Sequence, residues 1–174
     1  CTALTSITIP NSVTEIGAGA FQDCANLKNV TISSNLTEIT DMTFSGCTSL
    51  TSVSIPTKVK KIGYSAFARC TSLTNVTIPN SVTEIEINAF ENCSSLTSVS
   101  IPSSVNSIGW SAFFGCSSLT SVTVLSTIPP TIDSNHVPFQ INLKLENIYV
   151  PASAVNAYKT ADGWKLYANM ITSK

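Results

Sequence analysis

Six thiols are the side chains best equipped for chemistry in this chain, and they recur at one fixed interval, at Cys1, Cys24, Cys47, Cys70, Cys93 and Cys116. Thiols can ligate a metal, form disulfides or attack an electrophile. Zinc sites call for closely spaced pairs such as C-x2-C, and the sequence holds none, so no metal or other cofactor is expected. A disulfide needs Cβ atoms about 3.8 Å apart. Equivalent side chains of stacked units sit about 4.8 Å apart, which overshoots that distance. Cysteine without such a task behaves as a small, readily buried apolar residue. Cys24, Cys47, Cys70, Cys93 and Cys116 are accordingly assigned to a structural core. His136 is the only histidine and lies near Asp133, with no nucleophile motif around it. Without a base–nucleophile pair or paired carboxylates, acid–base catalysis lacks its parts, and the chain is read as no enzyme.

The spacing of the cysteines is shared by other residues. Three positions after each comes Leu4, Leu27, Leu50, Leu73, Leu96 or Leu119. Six and eight positions on stand Ile or Val, as in Ile7 and Ile9 or Val122 and Val124. Val13 and Ile16 recur likewise, and the unit closes with Ala20-Phe21, Thr43-Phe44, Ala66-Phe67, Ala89-Phe90 or Ala112-Phe113. A fixed period of this length signals a solenoid, whose units bury their apolar sides by stacking on one another. Within one unit, Ile7 and Ile9 alternate with Ser6 and Thr8, the pattern of a strand with one buried face. Pro10 ends that strand, Gly17 suits a bend, and Ala-Phe is expected in a brief helical turn. After residue 124 the register slips, and Leu145, Ile148 and Val150 repeat the strand pattern three residues late. The last stretch places Val155, Tyr158, Trp164, Tyr167 and Ile171 on the apolar faces expected of one or two short helices. Three segments follow: residues 1–124 with six repeats, 125–151 with an irregular coil and final strand, and 152–174 as a helical cap. No cap is expected before Cys1, which leaves that coil open to end-to-end self-association.

The pattern C-x-x-L-x-x-I-x-I-P-x-x-V-x-x-I-G-x-x-A-F closely resembles the BspA-like (Treponema-type) leucine-rich repeats across residues 1 to about 124. Departures are local: Ser33 replaces proline, and Thr40 and Glu86 replace glycine. The resemblance implies an α/β leucine-rich repeat solenoid, a right-handed superhelix with one parallel strand per 23-residue coil. It also implies a bacterial cell-surface or secreted protein that adheres to host or microbial proteins. The alternatives are a spacer presenting another domain, or a fragment of a larger protein whose activity lies upstream.

Candidate binding residues fall in two columns. Thr8, Thr31, Ser54, Thr77, Ser100 and Thr123 form an outward row of hydroxyls, suited to a protein or glycan ligand or simply to a solvated strand face. A second column varies from repeat to repeat: Ala18, Asp41, Tyr64, Ile87 and Trp110, with Phe114 one helical turn beyond Trp110. Large apolar side chains where Ala and Asp also occur are not needed for the core, and Tyr and Trp are common contact anchors. Glu38, Lys61 and Glu84 align as a charge column, and exposed pairs of this kind contribute only about 0–1 kcal/mol.

Composition agrees with these readings. Only 11% of the 174 residues are charged and the net charge is -1, which offers nucleic acid no basic surface. No apolar run approaches the roughly 20 residues of a membrane span, so membrane insertion is not expected.

Overall fold

The computed structural model describes residue 1, residues 3–132 and residues 137–174. In chain order the strands are β1 (Ser6–Thr8), β2 (Asn29–Thr31), β3 (Glu38–Ile39), β4 (Ser52–Ser54), β5 (Lys61–Ile62), β6 (Asn75–Thr77) and β7 (Glu84–Ile85). They continue with β8 (Ser98–Ile101), β9 (Ser107–Ile108), β10 (Ser121–Val124), β11 (Thr131–Ile132), β12 (Asn147–Val150) and β13 (Ile171–Ser173). A single short helix, α1 (Val155–Thr160), lies between two 3-10 turns at Ala152–Ala154 and Trp164–Tyr167.

Every strand pairing joins equivalent residues of neighbouring coils in parallel. Ile7 faces Val30, Val53 faces Val76, and Val99 faces Val122. The ladders β1–β2, β4–β6 and β8–β10–β12–β13 lie end to end along one face. A second ladder, β3–β5–β7–β9–β11, runs beside it. The expected strand per coil is present, and each coil from the second to the sixth adds a short strand around the inward Ile39, Ile62, Ile85, Ile108 or Ile132. Such a strand is too short to show alternation in the sequence.

The far side of the coil departs from the expected helical turn. Backbone N–H groups alternate there. Those of Ala66, Ala68 and Cys70 close local turns onto Gly63, Ser65 and Phe67. Those of Ser65, Phe67 and Arg69 reach across to the carbonyls of Ile87, Ala89 and Glu91 in the next coil. Alternation of this kind needs a left-handed residue at each end of the run, and the pairs are Gly19/Asp23, Met42/Gly46, Ser65/Arg69, Asn88/Asn92 and Ser111/Gly115. The repeat glycine serves a different purpose. A Cβ on Gly63 would lie 2.6 Å from Asp41 Oδ1, and one on Gly109 would collide with the backbone of Glu86 and Ile87. This column is thin because adjacent coils touch there, not because the chain bends. Thr40 compensates by donating its hydroxyl to Ile16 O at 2.9 Å. Ser33, at the proline column, donates to Val13 O at 2.6 Å.

Beside the aliphatic columns, two others fill the core. Phe21, Phe44, Phe67, Phe90, Phe113 and Phe139 stack with ring centroids 5.2–5.5 Å apart, each contact adding about 0.5–1.5 kcal/mol beyond its buried area. Cys24, Cys47, Cys70, Cys93 and Cys116 are buried free thiols, while Cys1 is exposed. Their packing is also polar. Cys47, Cys70, Cys93 and Cys116 each donate to the phenylalanine carbonyl one layer back at 3.2–3.3 Å. Phe139 and Asn142 take the places that follow Phe113 and Cys116, three positions later than the repeat would put them. Asn142 Nδ2 donates to Phe113 O at 2.9 Å. The late register seen at Leu145 is therefore already present at Phe139.

The cap is the altered return of the seventh coil, followed by the strand of an eighth. Ile148 faces Ile171, one full repeat further on, so Ile171 lies in a strand and not on the helical face expected of it. Trp164 and Tyr167 close the phenylalanine stack against Phe139 at 6.2 and 5.6 Å. Their polar ends, with that of Tyr158, meet backbone that another coil would have met. Trp164 Nε1 donates to Pro130 O at 2.7 Å, Tyr158 Oη donates to Ser126 O at 2.9 Å, and Tyr167 Oη accepts from Phe139 N at 3.1 Å.

Two tests follow from this core. Burial raises the thiols of Cys47 and Cys116 from 9.0 to about 12, with those of Cys70 and Cys93 raised as well. The unfolded chain therefore releases these protons near pH 9 while the folded chain holds them. Stability is fully present below that pH and falls as pH rises towards 12, by up to about 1.4 kcal/mol per unit for each thiol. Thermal melts followed by circular dichroism should give a flat Tm from pH 7 to 8.5 and a steep decline above 9. A flat profile to pH 11 would contradict the thiol column. Secondly, Asn142 carries a buried Oδ1 with no partner among the described residues, which costs about 1–3 kcal/mol. Asn142→Cys removes that atom and keeps a donor for Phe113 O, so Tm should rise by about 2–4 °C for each kcal/mol gained. A fall in Tm would show that the longer amide is required.

Candidate binding groove

The variable column follows the thin glycine column directly in sequence, which determines its surroundings. Gly63 and Gly109 leave flat backbone where other positions carry side chains. The next residues stand up beside that floor. Tyr64, Ile87 and Trp110 are 41%, 41% and 44% exposed. Across the floor runs the outward column of the second ladder, with Glu84, Ser107 and Thr131 in register. Between the two rows lies a groove of about 610 Å³, within the roughly 300–1,000 Å³ usual for a binding cleft. A smaller hollow of about 220 Å³ lies on the same face near Thr14, Glu15 and Glu38.

The groove's charge is uneven. Lys61 Nζ pairs with Glu86 Oε1 at 2.7 Å and lies 3.7 Å from Glu38 Oε1. The hydrogen bond to Glu86 is the main reason the Lys61 ammonium holds its proton above the usual lysine range. The expected column of Glu38, Lys61 and Glu84 is aligned in register, but Lys61 pairs with Glu86 in place of Glu84. Glu86 occupies the glycine column, two positions further along its coil, where its carboxylate meets Nζ. Glu84 is exposed and has no ion pair or hydrogen bond among the described residues.

Other candidate residues are distributed differently. Phe114 is half-buried and does not line the groove. The segment after Trp110 is a run of turns with Ser111 in the left-handed region, so the helical spacing that would set Phe114 beside Trp110 does not arise. Thr8, Thr31, Ser54, Thr77 and Ser100 are exposed, and Thr123 half-buried, on the other ladder face. Their register is direct, with Thr8 beside Thr31, Ser54 beside Thr77, and Ser100 beside Thr123. None of these six hydroxyls makes a hydrogen bond among the described residues. Corner hydroxyls, by contrast, join the coils: Thr71 Oγ1 donates to Thr48 O and Ser94 Oγ to Thr71 O, each at 3.4 Å. Asp133 and His136 lie outside the described residues. Among the described residues no cluster of three metal-ligating side chains occurs, and no helix is long and apolar enough to cross a membrane.

Sequence reasoning identified Tyr64, Ile87 and Trp110 but missed Glu84, Ser107, Thr131 and Ile132, which complete the groove. The available signal was the recurring polar-polar-Ile triplet before each glycine column, as in Thr83-Glu84-Ile85 and Asn106-Ser107-Ile108.

Known proteins share this architecture. A leucine-rich repeat protein from Bacteroides ovatus is 32% identical, with a TM-score of 0.68 over 89% of this chain and 41% of its own. The leucine-rich repeat protein of T. pallidum is 26% identical, with a TM-score of 0.74 over 94% of this chain and 81% of its own. The chain thus spans less than half of the Bacteroides protein. The pneumococcal vaccine antigen PcpA, 15% identical with a TM-score of 0.51, covers 98% of this chain and 66% of its own and shares the fold. No protein of curated function matches the sequence. The profile of the BspA type leucine-rich repeat region matches six copies, over residues 1–120 and 43–161. With its repeating coils, its two parallel ladders and that match, the chain belongs to the BspA-type leucine-rich repeat family.

Proposed function

We propose that this chain is a non-catalytic protein-binding module of a bacterial cell-surface or secreted protein, serving adhesion to host matrix or microbial surface proteins. The observation that carries this reading is the exposure of Tyr64, Ile87 and Trp110 side by side on three successive coils. The phenylalanine, thiol and aliphatic columns already fill the interior, so packing does not require large apolar groups outside it. Aromatic side chains on a rigid support make effective contact anchors, since little freedom is lost when they are covered. The outward hydroxyls of Thr8, Thr31, Thr77 and Thr123 supply hydrogen-bonding groups on the neighbouring face, suited to the same partner or to a glycan on it. Family membership and the fold support a repeat scaffold of the kind used for binding.

Capture of purified host matrix proteins by the wild-type chain and by Tyr64→Ala/Trp110→Ala tests the proposal. Each aromatic anchor should contribute about 2 kcal/mol, so each single variant should bind about thirtyfold and the double variant several hundredfold more weakly. Its melting temperature should change little, because both side chains project from the stack. Equal capture by both chains would remove the groove from consideration. Absence of capture by either would favour a spacer role.

A further inference from the structure

Resting on the groove as the partner-binding surface, we infer that it is selective for a cationic side chain, arginine before lysine, carried on an extended segment of the partner protein. Glu84 is decisive. Glu86 is neutralised by Lys61 at 2.7 Å, whereas Glu84, which feels Lys61 only through space, brings to the groove a carboxylate with no ion pair or hydrogen bond among the described residues. An apolar occupant would strip water from that carboxylate with no compensation, and unpaired buried charge is costly. An acidic occupant would meet Glu84 and Glu86 together. A cation is the occupant whose charge complements the site.

The aromatic residues suit the same group. Glu84 belongs to the coil between those of Tyr64 and Trp110, and adjacent coils are about 4.8 Å apart. A cation held at Glu84 therefore has an aromatic residue one coil away on either side. Cations within about 6 Å of a ring centroid are attracted to its face, tryptophan most strongly. Ile87 and the half-buried Ile132 offer apolar surface to the stem of a long basic side chain. Ser107 places a hydroxyl next to Glu84 along the ladder, with Thr131 one coil beyond it, and the Ser107 oxygen can take a further donor of a guanidinium. Its planar fork and weaker hydration favour arginine over lysine in such a setting. The lysines of the third coil do not cancel the effect. Lys61 is held by Glu86 and Glu38, Lys58 Nζ donates to Asn35 Oδ1 at 2.7 Å, and Lys60 does not line the groove.

The test is a pair of blocked tetrapeptides, Ac-Gly-Arg-Leu-Gly-NH2 and the same peptide with citrulline, an uncharged isostere of arginine. They are titrated into the full isotopically labelled chain and followed by amide chemical shifts. Saturable shifts at Tyr64, Glu84, Ile87 and Trp110 are expected for the arginine peptide, with affinity about fivefold above that of the citrulline peptide. Glu84→Gln should abolish that difference while leaving the melting temperature in place. Glu146→Gln, an exposed carboxylate outside the groove, should leave the difference intact. Equal affinity for the two peptides, shifts confined to the hydroxyl face, or no shifts at tens of millimolar peptide would each overturn the inference. If Tyr64→Ala/Trp110→Ala still abolishes protein capture while the two peptides bind alike, only the cation preference falls. If the double variant captures its partner normally, the binding groove itself is disproved.

Discussion

One constraint governs this molecule: each coil must satisfy its backbone hydrogen bonds through a neighbour lying one strand spacing away. Buried N–H and C=O groups without partners are too costly to keep. On the strand side the parallel ladders meet the demand in the ordinary way. On the far side the chain is too tightly turned for a ladder, and alternate N–H groups reach the next coil while the others close turns. That arrangement leaves the carbonyls of Phe21, Phe44, Phe67 and Phe90 in the core, where each accepts a local N–H and the thiol of the following layer. Cysteine fits this place because it is small, apolar enough for the interior and still able to donate.

The sixth coil and the residue that follows it separate this requirement from the side chain that usually meets it. Thr131 pairs with Ser107 at a separation one position longer than the repeat, and Phe139 stacks on Phe113 at a separation three positions longer. One additional residue falls before Thr131 and two more between Ile132 and Phe139, and the phenylalanine, leucine and strand columns resume afterwards. At the next cysteine position stands Asn142, chemically unlike a thiol, yet its amide donates to the phenylalanine carbonyl of the layer before, Phe113 O. The hydrogen bond persists where the sulfur does not. Backbone strain is tolerated in the same coil, since Ile141 takes the left-handed position that glycine fills in the fifth coil, a conformation costing a branched residue about 1–2 kcal/mol.

Features whose physical cause is side-chain burial were legible in the sequence. The spacing of Leu27, Val30, Ile32 and Phe44 reflects the shared interior directly, and the length of the coil follows from it. Features whose cause lies in the backbone were not. The left-handed pairs include Met42, Ser65 and Arg69, which carry no glycine signature because the stack, not the residue, enforces their conformation. The strands of the second ladder are so short that they leave no alternation to detect. Ile171 looked helical because the residues before it form turns, whereas pairing with Ile148 places it in a strand. Tyr64 and Trp110 were visible as misfits in their column, whereas Glu84 was legible only as a member of a charge column, because the ladder that sets it opposite them was itself unseen.

The groove follows from the same stacking rule. Contact between adjacent coils demands glycine at Gly63 and Gly109, and that absence of side chains forms its floor. The next residue in each coil rises clear of that contact, so its identity affects packing least. Ala18, Asp41, Tyr64, Ile87 and Trp110 occupy it in turn without disturbing the columns on either side. A position that the core does not constrain, beside one where adjacent coils touch, yields a variable wall along a column of Gly17, Gly63 and Gly109 that only Thr40 and Glu86 interrupt. Repeat scaffolds can thereby change what they bind while the interior stays the same. In this chain the variation has set two aromatic residues and an isoleucine across from Glu84, a carboxylate without an ion pair among the described residues, and the rigid stack fixes that arrangement.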